Sequence, residues 1–462
     1  MLNCKCIQFS KVNNEKRFDS KFYFLEDELK KYKKDSRFNL IGLGDKKLLK
    51  KITDGEHAGQ KFVQNGVLFI KNSSIKDFEI SLFDGFYIEQ EKHIKLSRSA
   101  LKAKDILFTT IGHLGSSTIV PEDFGDANIN QNLVKMEINE IFLNPYYLAA
   151  YLNSSLIRKQ IACLFTGNIH GILTYPKIKK LQIIKPKKEL QEEIERLYKK
   201  SISLERKANE IIMDSKKRLR DGLNIDFDNI PEPKFYSVKL NELDKGETWI
   251  PKFYYPKYVM TKEKIMKKWK IKKLSTKDGV AEISKGSEVG SDNYNHYLDK
   301  NMTDYPFIRT SDIYNFQVDL NPDYYIPSEI GTPLKQKFKE NSILFTKDGK
   351  IGFSSMVTHS DKVIVSSGVS IINATKINPN YLFLTLLLEE VGQFQSIQGT
   401  VYASTIPHLR EQRLKCFEIP LVDKGLYNKL CSDVEMAFKL KEEKKKLMIE
   451  MRDKIDKLML KN

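Results

Sequence analysis

The chain has 462 residues, 41% hydrophobic, with 77 Lys+Arg against 60 Asp+Glu and a formal net charge of +17. That length supports two or three domains with cores of their own, and the basic excess favours a polyanionic partner. No stretch approaches the ~20 apolar residues of a membrane span, and the start MLNCKCIQFSK lacks the apolar core of a signal peptide. Cys4, Cys6, Cys163, Cys416 and Cys431 fall at spacings that indicate neither a zinc site nor a disulfide framework. Free thiols in a cytoplasmic protein are the expectation.

In chain order, the first half reads as mixed α and β. Ile106-Leu107-Phe108 is too short a run for a helix and suits a buried strand. Gly112 and Gly115 then predict a hairpin turn into Ser117–Val120. Asn144-Pro145 places a cap and a first-turn proline before a periodic stretch reaching Ile161, a helix expected to pack on the sheet. After Pro186 comes a long amphipathic helix, Lys187 to Arg220. Leu190, Leu197, Leu204 and Ile211 recur every seven residues, and so do Ile194, Ser201, Ala208 and Ser215. That is a coiled-coil stripe. A polar connector, Asp221–Glu247, contains Pro231 and Pro233.

The second half repeats the first in order. Phe69–Ile75 matches Phe307–Ile313, Ile106–Gly115 matches Ile343–Gly352, and Asn144–Leu148 matches Asn378–Leu382. Phe165-Thr166-Gly167 corresponds to Ile397-Gln398-Gly399, and Pro176-Lys177-Ile178 to Pro407-His408-Leu409. A second long helix closes the chain, with Leu430, Ala437, Met451 and Leu458 in one series and Val434, Met448 and Ile455 in the other. Lys441 and Lys444 interrupt that stripe. Several ordered matches with a slowly drifting offset define a tandem duplication of one globular domain plus one long helix. The helices are expected to pair with each other.

Candidate contact residues follow from this frame. Lys71, Asn72 and Ser73 sit in the slot of Arg309, Thr310 and Ser311, residue types that grip phosphate or read base edges, or equally fill surface turns. His113, Lys347 and Lys350 lie at the tips of the glycine turns. Asn130, Gln131 and Asn132 form a run of amides able to pair with adenine, or to cap strands. Asn168 and His170 in one Gly-bounded loop, and Thr400 and Tyr402 in its counterpart, are candidates on the same grounds. Asn144-Pro145-Tyr146-Tyr147 resembles the Asn-Pro-Pro-Tyr loop of adenine methyltransferases. The second proline is missing and the repeat reads Asn378-Pro379-Asn380-Tyr381, so a duplicated helix cap explains both copies. The chain shows no nucleophile triad order and no Walker lysine loop, and its seven histidines lack metal-ligand spacing.

Repeat and helices together resemble the DNA-sequence specificity subunit of type I restriction–modification enzymes. Ile52-Thr53-Asp54-Gly55-Glu56-His57, Gln398-Gly399-Thr400, Ile184-Lys185-Pro186 and Arg17–Tyr23 are similar to elements of that family. The resemblance implies an α+β chain of two tandem mixed α/β target-recognition domains, separated by two long helices paired as an antiparallel coiled coil. The corresponding segments are 1–186, 187–221 (central spacer helix), 222–422 (connector and second domain) and 423–462 (terminal spacer helix). It further implies a chain without a catalytic centre, bound to double-stranded DNA at a bipartite site with an unread gap; a helix of about 34 residues, ~51 Å long, predicts that the gap is about six base pairs, give or take two. Two methyltransferase subunits carrying S-adenosylmethionine would dock on it, and ATP/Mg-dependent restriction subunits could join. An autonomous adenine methyltransferase and a coiled-coil protein scaffold are the competing functions.

Overall fold

The computed structural model describes residues 7–15, 20–35, 39–57, 59–82, 85–112, 114–164, 171–243, 250–289, 305–319, 321–328, 336–358, 361–402 and 406–460. The chain divides into two compact units, 1–202 with 444–462, and 203–443. Both long helices, Lys188–Gly222 and Lys424–Leu460, contribute a portion to each unit.

The first unit is built on a four-stranded antiparallel sheet in the order Leu49–Asp54, Leu133–Ile138, Ile106–Thr109, Ser117–Ile119. Ile106 to Thr109 are all buried, as the apolar run Ile106-Leu107-Phe108 requires of a strand covered on both faces. A three-stranded sheet sets Val67–Ile70 between Phe86–Ile88 and Ala127–Ile129, and the last pair is parallel. A short hairpin, Ile75–Lys76 with Glu79–Ile80, and the pair Asn39–Gly42 with Gln182–Lys185 complete it. The second unit has the same strand order. Its four strands are Ala281–Lys285, Val369–Ala374, Ile343–Thr346 and Ser354–Met356. Tyr305–Ile308 lies between Tyr325–Ile326 and a parallel Ile364–Val365, Ile313–Tyr314 pairs with Gln317–Val318, and Lys270–Lys273 pairs with Glu418–Leu421. A further pair, Thr400–Val401 with His408–Leu409, belongs to the second unit.

Both glycine turns are hairpins, with φ of +80° and +83° at Gly112 and Gly115, and +65° and +85° at Gly349 and Gly352. These are values that glycine adopts without strain. The helices predicted from Asn144 and Asn378 begin there. The Asn144 side chain accepts from the Tyr146 and Tyr147 amides, and that of Asn378 from the Asn380 amide. They are shorter than the periodicity suggests. The first stops at Tyr151 and resumes at Ser155, because the Asn153 side chain turns to the backbone of Ser117, accepting from its N–H and donating to its carbonyl. The second gives way after Leu387 to a wider turn, Glu389–Gln393. There Gly392 presses so close to the Leu386 carbonyl that a Cβ would lie 1.8 Å away.

The long helices carry seams that differ from the simplest sequence stripe. On the central helix Ile194, Tyr198, Ser201, Glu205, Ala208, Ile212, Ser215 and Leu219 are buried in a regular four-three alternation. Leu190, Leu197 and Ile211, read as seam residues, are only half-buried on its flank, while Leu204 is buried beside Glu205. The seam thus runs one residue on from the leucine series, because it meets the globular domain as well as a helix. In the first unit Tyr198 packs edge-on against Phe78 and Tyr146. On the terminal helix Leu430, Val434, Ala437, Lys441, Lys444, Met451 and Ile455 are buried, with Met448 and Leu458 half-buried. Lys441 and Lys444 do not break the stripe. They lie in it.

Within each unit the helices pair antiparallel. In the first, Lys454 binds Glu193, and Ile194 and Tyr198 share a core with Met451 and Ile455. In the second, Arg218 bonds to Asp433, the Leu426 side chain lies against Gly222, and Lys441 donates to Glu205 at 2.8 Å. Among the described residues no helix is long and apolar enough to cross a membrane.

Candidate nucleic-acid interface

In each unit the parallel strand pair ends in two loops, and the glycine hairpin arrives beside them. In the first unit Val67–Ile70 runs into Lys71 and a 3-10 turn over Asn72–Ser74, and Ala127–Ile129 runs into Asn130, Gln131 and Asn132. Backbone bonds lock the loops together. The Asn130 amide donates to the Ile70 carbonyl, Gln131 to Glu56, and Thr110 to Asn132. The Asn72 side chain donates to the Ile111 carbonyl at 3.1 Å.

The second unit reproduces this bonding. The Ser366 amide donates to the Ile308 carbonyl and Lys347 to Gly368, as Asn130 does to Ile70 and Thr110 to Asn132. The fold therefore gathers Lys71, Asn72, Ser73, Asn130, Gln131 and Asn132 in one copy, and Arg309, Thr310, Ser311 and the 347–350 turn in the other. Side chains differ at nearly every equivalent place while the backbone bonds persist.

Ser73, Gln131 and Ser311 are exposed, and Asn72, Asn130, Asn132, Thr310 and Lys350 half-buried. The Lys71 ammonium lies 3.3 Å from the Phe86 ring centre and 4.5 Å from that of Phe62, and no acidic partner is among the described residues. Burial lowers its pKa from the ordinary lysine value. It is a cation held on aromatic rings, and so available to an incoming anion. The Asn130 Oδ1 is buried without a hydrogen-bond partner among the described residues.

Arg309 differs. Its guanidinium is engaged by Asp312 and Asp323 and sits 4.4 Å from the centre of the Tyr324 ring. It braces the turn that carries Thr310 and Ser311. Lys350 lies over Phe353, and Tyr402 is exposed beneath the Lys252 ammonium at 4.4 Å.

Two candidates are corrected by their burial. Lys347 is 3% exposed, in the slot that Thr110 fills in the first copy, and desolvation pulls its pKa down. Thr400 is 1% exposed, and its hydroxyl donates to the Ser396 carbonyl at 2.6 Å. Neither reaches the surface. His113, Asn168 and His170 lie outside the described residues.

Sequence reasoning passed over two charged clusters beside these loops. Asp54 is held by Arg98 and, at 2.8 Å, by His57; Arg98 also donates to the Gly55 carbonyl. Burial pushes the Asp54 pKa up, but these hydrogen bonds and the Arg98 charge together bring it below the usual carboxylate value. In the second unit His408 bonds to Asp348. The Asp54-Gly-Glu-His57 string was visible. Nothing in sequence links Asp54 to Arg98.

Residues 266–431 match the family described as the type I restriction modification DNA specificity domain. A search of curated proteins finds no match. Among solved structures the chain is similar to the S subunit of a type I restriction-modification system from M. genitalium, at 14% identity and a TM-score of 0.36, over 92% of this chain and 97% of that one. It is also similar to the HsdS subunit from Thermoanaerobacter tengcongensis, at 15% identity and a TM-score of 0.30, over 92% and 96%. The matched segment occupies the second unit, and the first unit repeats its strand order and loop bonding. Residues 266–431 are accordingly similar to a DNA specificity domain of the type I restriction–modification kind, and the first unit repeats the architecture of the unit that holds them.

Proposed function

We propose that each unit reads one half of a split DNA site through the loops at the ends of its parallel strand pair, and that the chain directs partner subunits to that site. The observation that carries this is a shared frame with divergent chemistry. Identical backbone bonds hold Lys71-Asn72-Ser73 beside Asn130-Gln131-Asn132 in one copy, and Arg309-Thr310-Ser311 beside Ser366-Ser367-Gly368 in the other. Two equal frames with unlike side chains suit two unlike half-sites. The amides match adenine edges and the cations match phosphate or guanine.

In this reading the chain recognises and does not catalyse. Two methyltransferase subunits bring S-adenosylmethionine and modify adenine, restriction subunits supply ATP/Mg-dependent cleavage, and the work is cytoplasmic. The paired helices set an unread gap of about six base pairs. Binding weakens steeply as salt rises, because phosphate contacts release counterions. Mapping methylated adenines in cells with and without the chain tests the proposal. The expected result is one bipartite motif that appears only with the chain. A continuous motif, or methylation indifferent to the chain, refutes it.

A further inference from the structure

The duplication allows the two helix seams to be superposed residue for residue. The Gln182 amide donates to the Gln160 side chain in the first unit, and the Glu418 amide to the Gln395 side chain in the second, which fixes the alignment. Carried forward, it sets Ile194 on Leu430, Glu205 on Lys441 and Ala208 on Lys444. When a helix pairs antiparallel with its own duplicate, equivalent residues face each other only at the midpoint.

Glu205 and Lys441 are such equivalents, and they bond directly. The Lys441 Nζ donates to Glu205 Oε1 at 2.8 Å and to Asn209 Oδ1 at 2.9 Å, and the Asn209 amide donates back to Glu205 at 3.0 Å. The Lys441 side chain is 1% exposed and that of Glu205 12%. The one place where the duplication meets itself thus carries opposite charges.

We propose that Glu205 and Lys441 form a pairing key that admits the central helix against the terminal helix and rejects either helix against the same helix of a second copy of the chain. Like helices would bury carboxylate on carboxylate, or ammonium on ammonium, at the midpoint. Buried like charges are a strong device against a wrong partner. A second layer agrees. In the first unit Lys444 is bound by Glu79 and Arg452 by Asp77. The counterparts of Glu79 and Asp77 in the second-unit hairpin are the uncharged Gln317 and Asn315, and the counterpart of Lys444 is Ala208. A terminal helix laid on the second-unit hairpin of another copy would bury Lys444 without a carboxylate. This inference concerns assembly alone and stands whether or not the DNA proposal holds.

The test uses the full chain and light scattering after size exclusion. Wild type and the double reversal Glu205→Lys/Lys441→Glu are expected at the mass of one chain. Glu205→Lys and Lys441→Glu singly are expected to lose that species. Co-expressed, they are expected to recover a two-chain species, since each central helix then finds its complement on the other chain. If the single variants are insoluble, rescue by the double reversal and by co-expression decides in favour of the key. Single variants that remain at one-chain mass with wild-type melting overturn it, as does failure of both rescues.

Discussion

Asn144 shows how one residue can support two unrelated readings. In sequence it opens a string similar to a methyltransferase loop. In the structure its side chain accepts two backbone amides and donates to Glu195, and its own amide donates to Gln191. All four contacts fasten a helix start. Replacing such a cap costs about 1–2 kcal/mol. Asn144→Ala should therefore lower the free energy of unfolding in urea by that much, and under the proposed function methylation directed by the chain should persist. Loss of methylation with a folded subunit would revive the catalytic reading. Asp54 supports a prediction of a different kind. Its pKa in the fold lies below the ordinary carboxylate value, so its ion pair stabilises the fold above pH ~3.9 and is lost as pH falls through the lower folded value. Arg98→Ala removes the hydrogen bonds responsible. The variant's stability should then vary less than wild type below about pH 4 in pH-resolved thermal melts, and equal steepness would show that Arg98 does not hold Asp54. The cap was legible because its partners lie within three residues. Arg98 was not, since it reaches Asp54 only through the tertiary fold.

At the scale of elements, strands and glycine turns could be read from short apolar runs and paired glycines, and so could the series Ile194, Ser201, Ala208 and Ser215, whereas the other half of the seam is placed one residue early. The leucine series Leu190, Leu197, Leu204 and Ile211 lies one residue before the buried Tyr198, Glu205 and Ile212, because a hydrophobicity pattern prefers Leu204 to the adjacent Glu205. Small residues at Ser201, Ala208 and Ser215 leave room for neighbours to approach, and that choice depends on what lies opposite. The hairpins beside the seam are a further case. Phe78 and Phe316 sit at equivalent tips with φ of +67° and +62°, yet are 2% and 4% exposed. A bulky residue in the left-handed region costs about 1 kcal/mol or more, and burial of the ring offsets it. Phe78 packs on Tyr198, and Phe316 on Phe383. Phe78→Ala should cost about 3–5 kcal/mol for the lost ring. Phe78→Gly should cost about 1 kcal/mol less than alanine, because glycine is at ease with positive φ. Denaturant unfolding of the two variants checks the order, and alanine the more stable of the pair would show that the turn is not strained.

For the whole molecule, the duplication was legible because it is written in order along the chain. The placement of Lys441 and Lys444 was not, since an isolated lysine in a stripe looks like an interruption until its carboxylate is found. Their burial changes how the gap hypothesis must be tested. Seven residues added to the central helix alone, after Ile202, displace its two ends by about 10 Å at ~1.5 Å per residue. The terminal helix cannot follow without separating Lys441 from Glu205 or Lys444 from Glu79. A single insertion should therefore abolish methylation rather than lengthen the gap. With a second heptad after Glu443, both ends keep their buried pairs. That double insertion should restore methylation at a motif with unchanged half-sites and a gap longer by about three base pairs, at ~3.4 Å each. Methylated-adenine mapping reads the motif directly. An active double insertion with the original gap would show that the helices hold the subunit together without measuring the DNA.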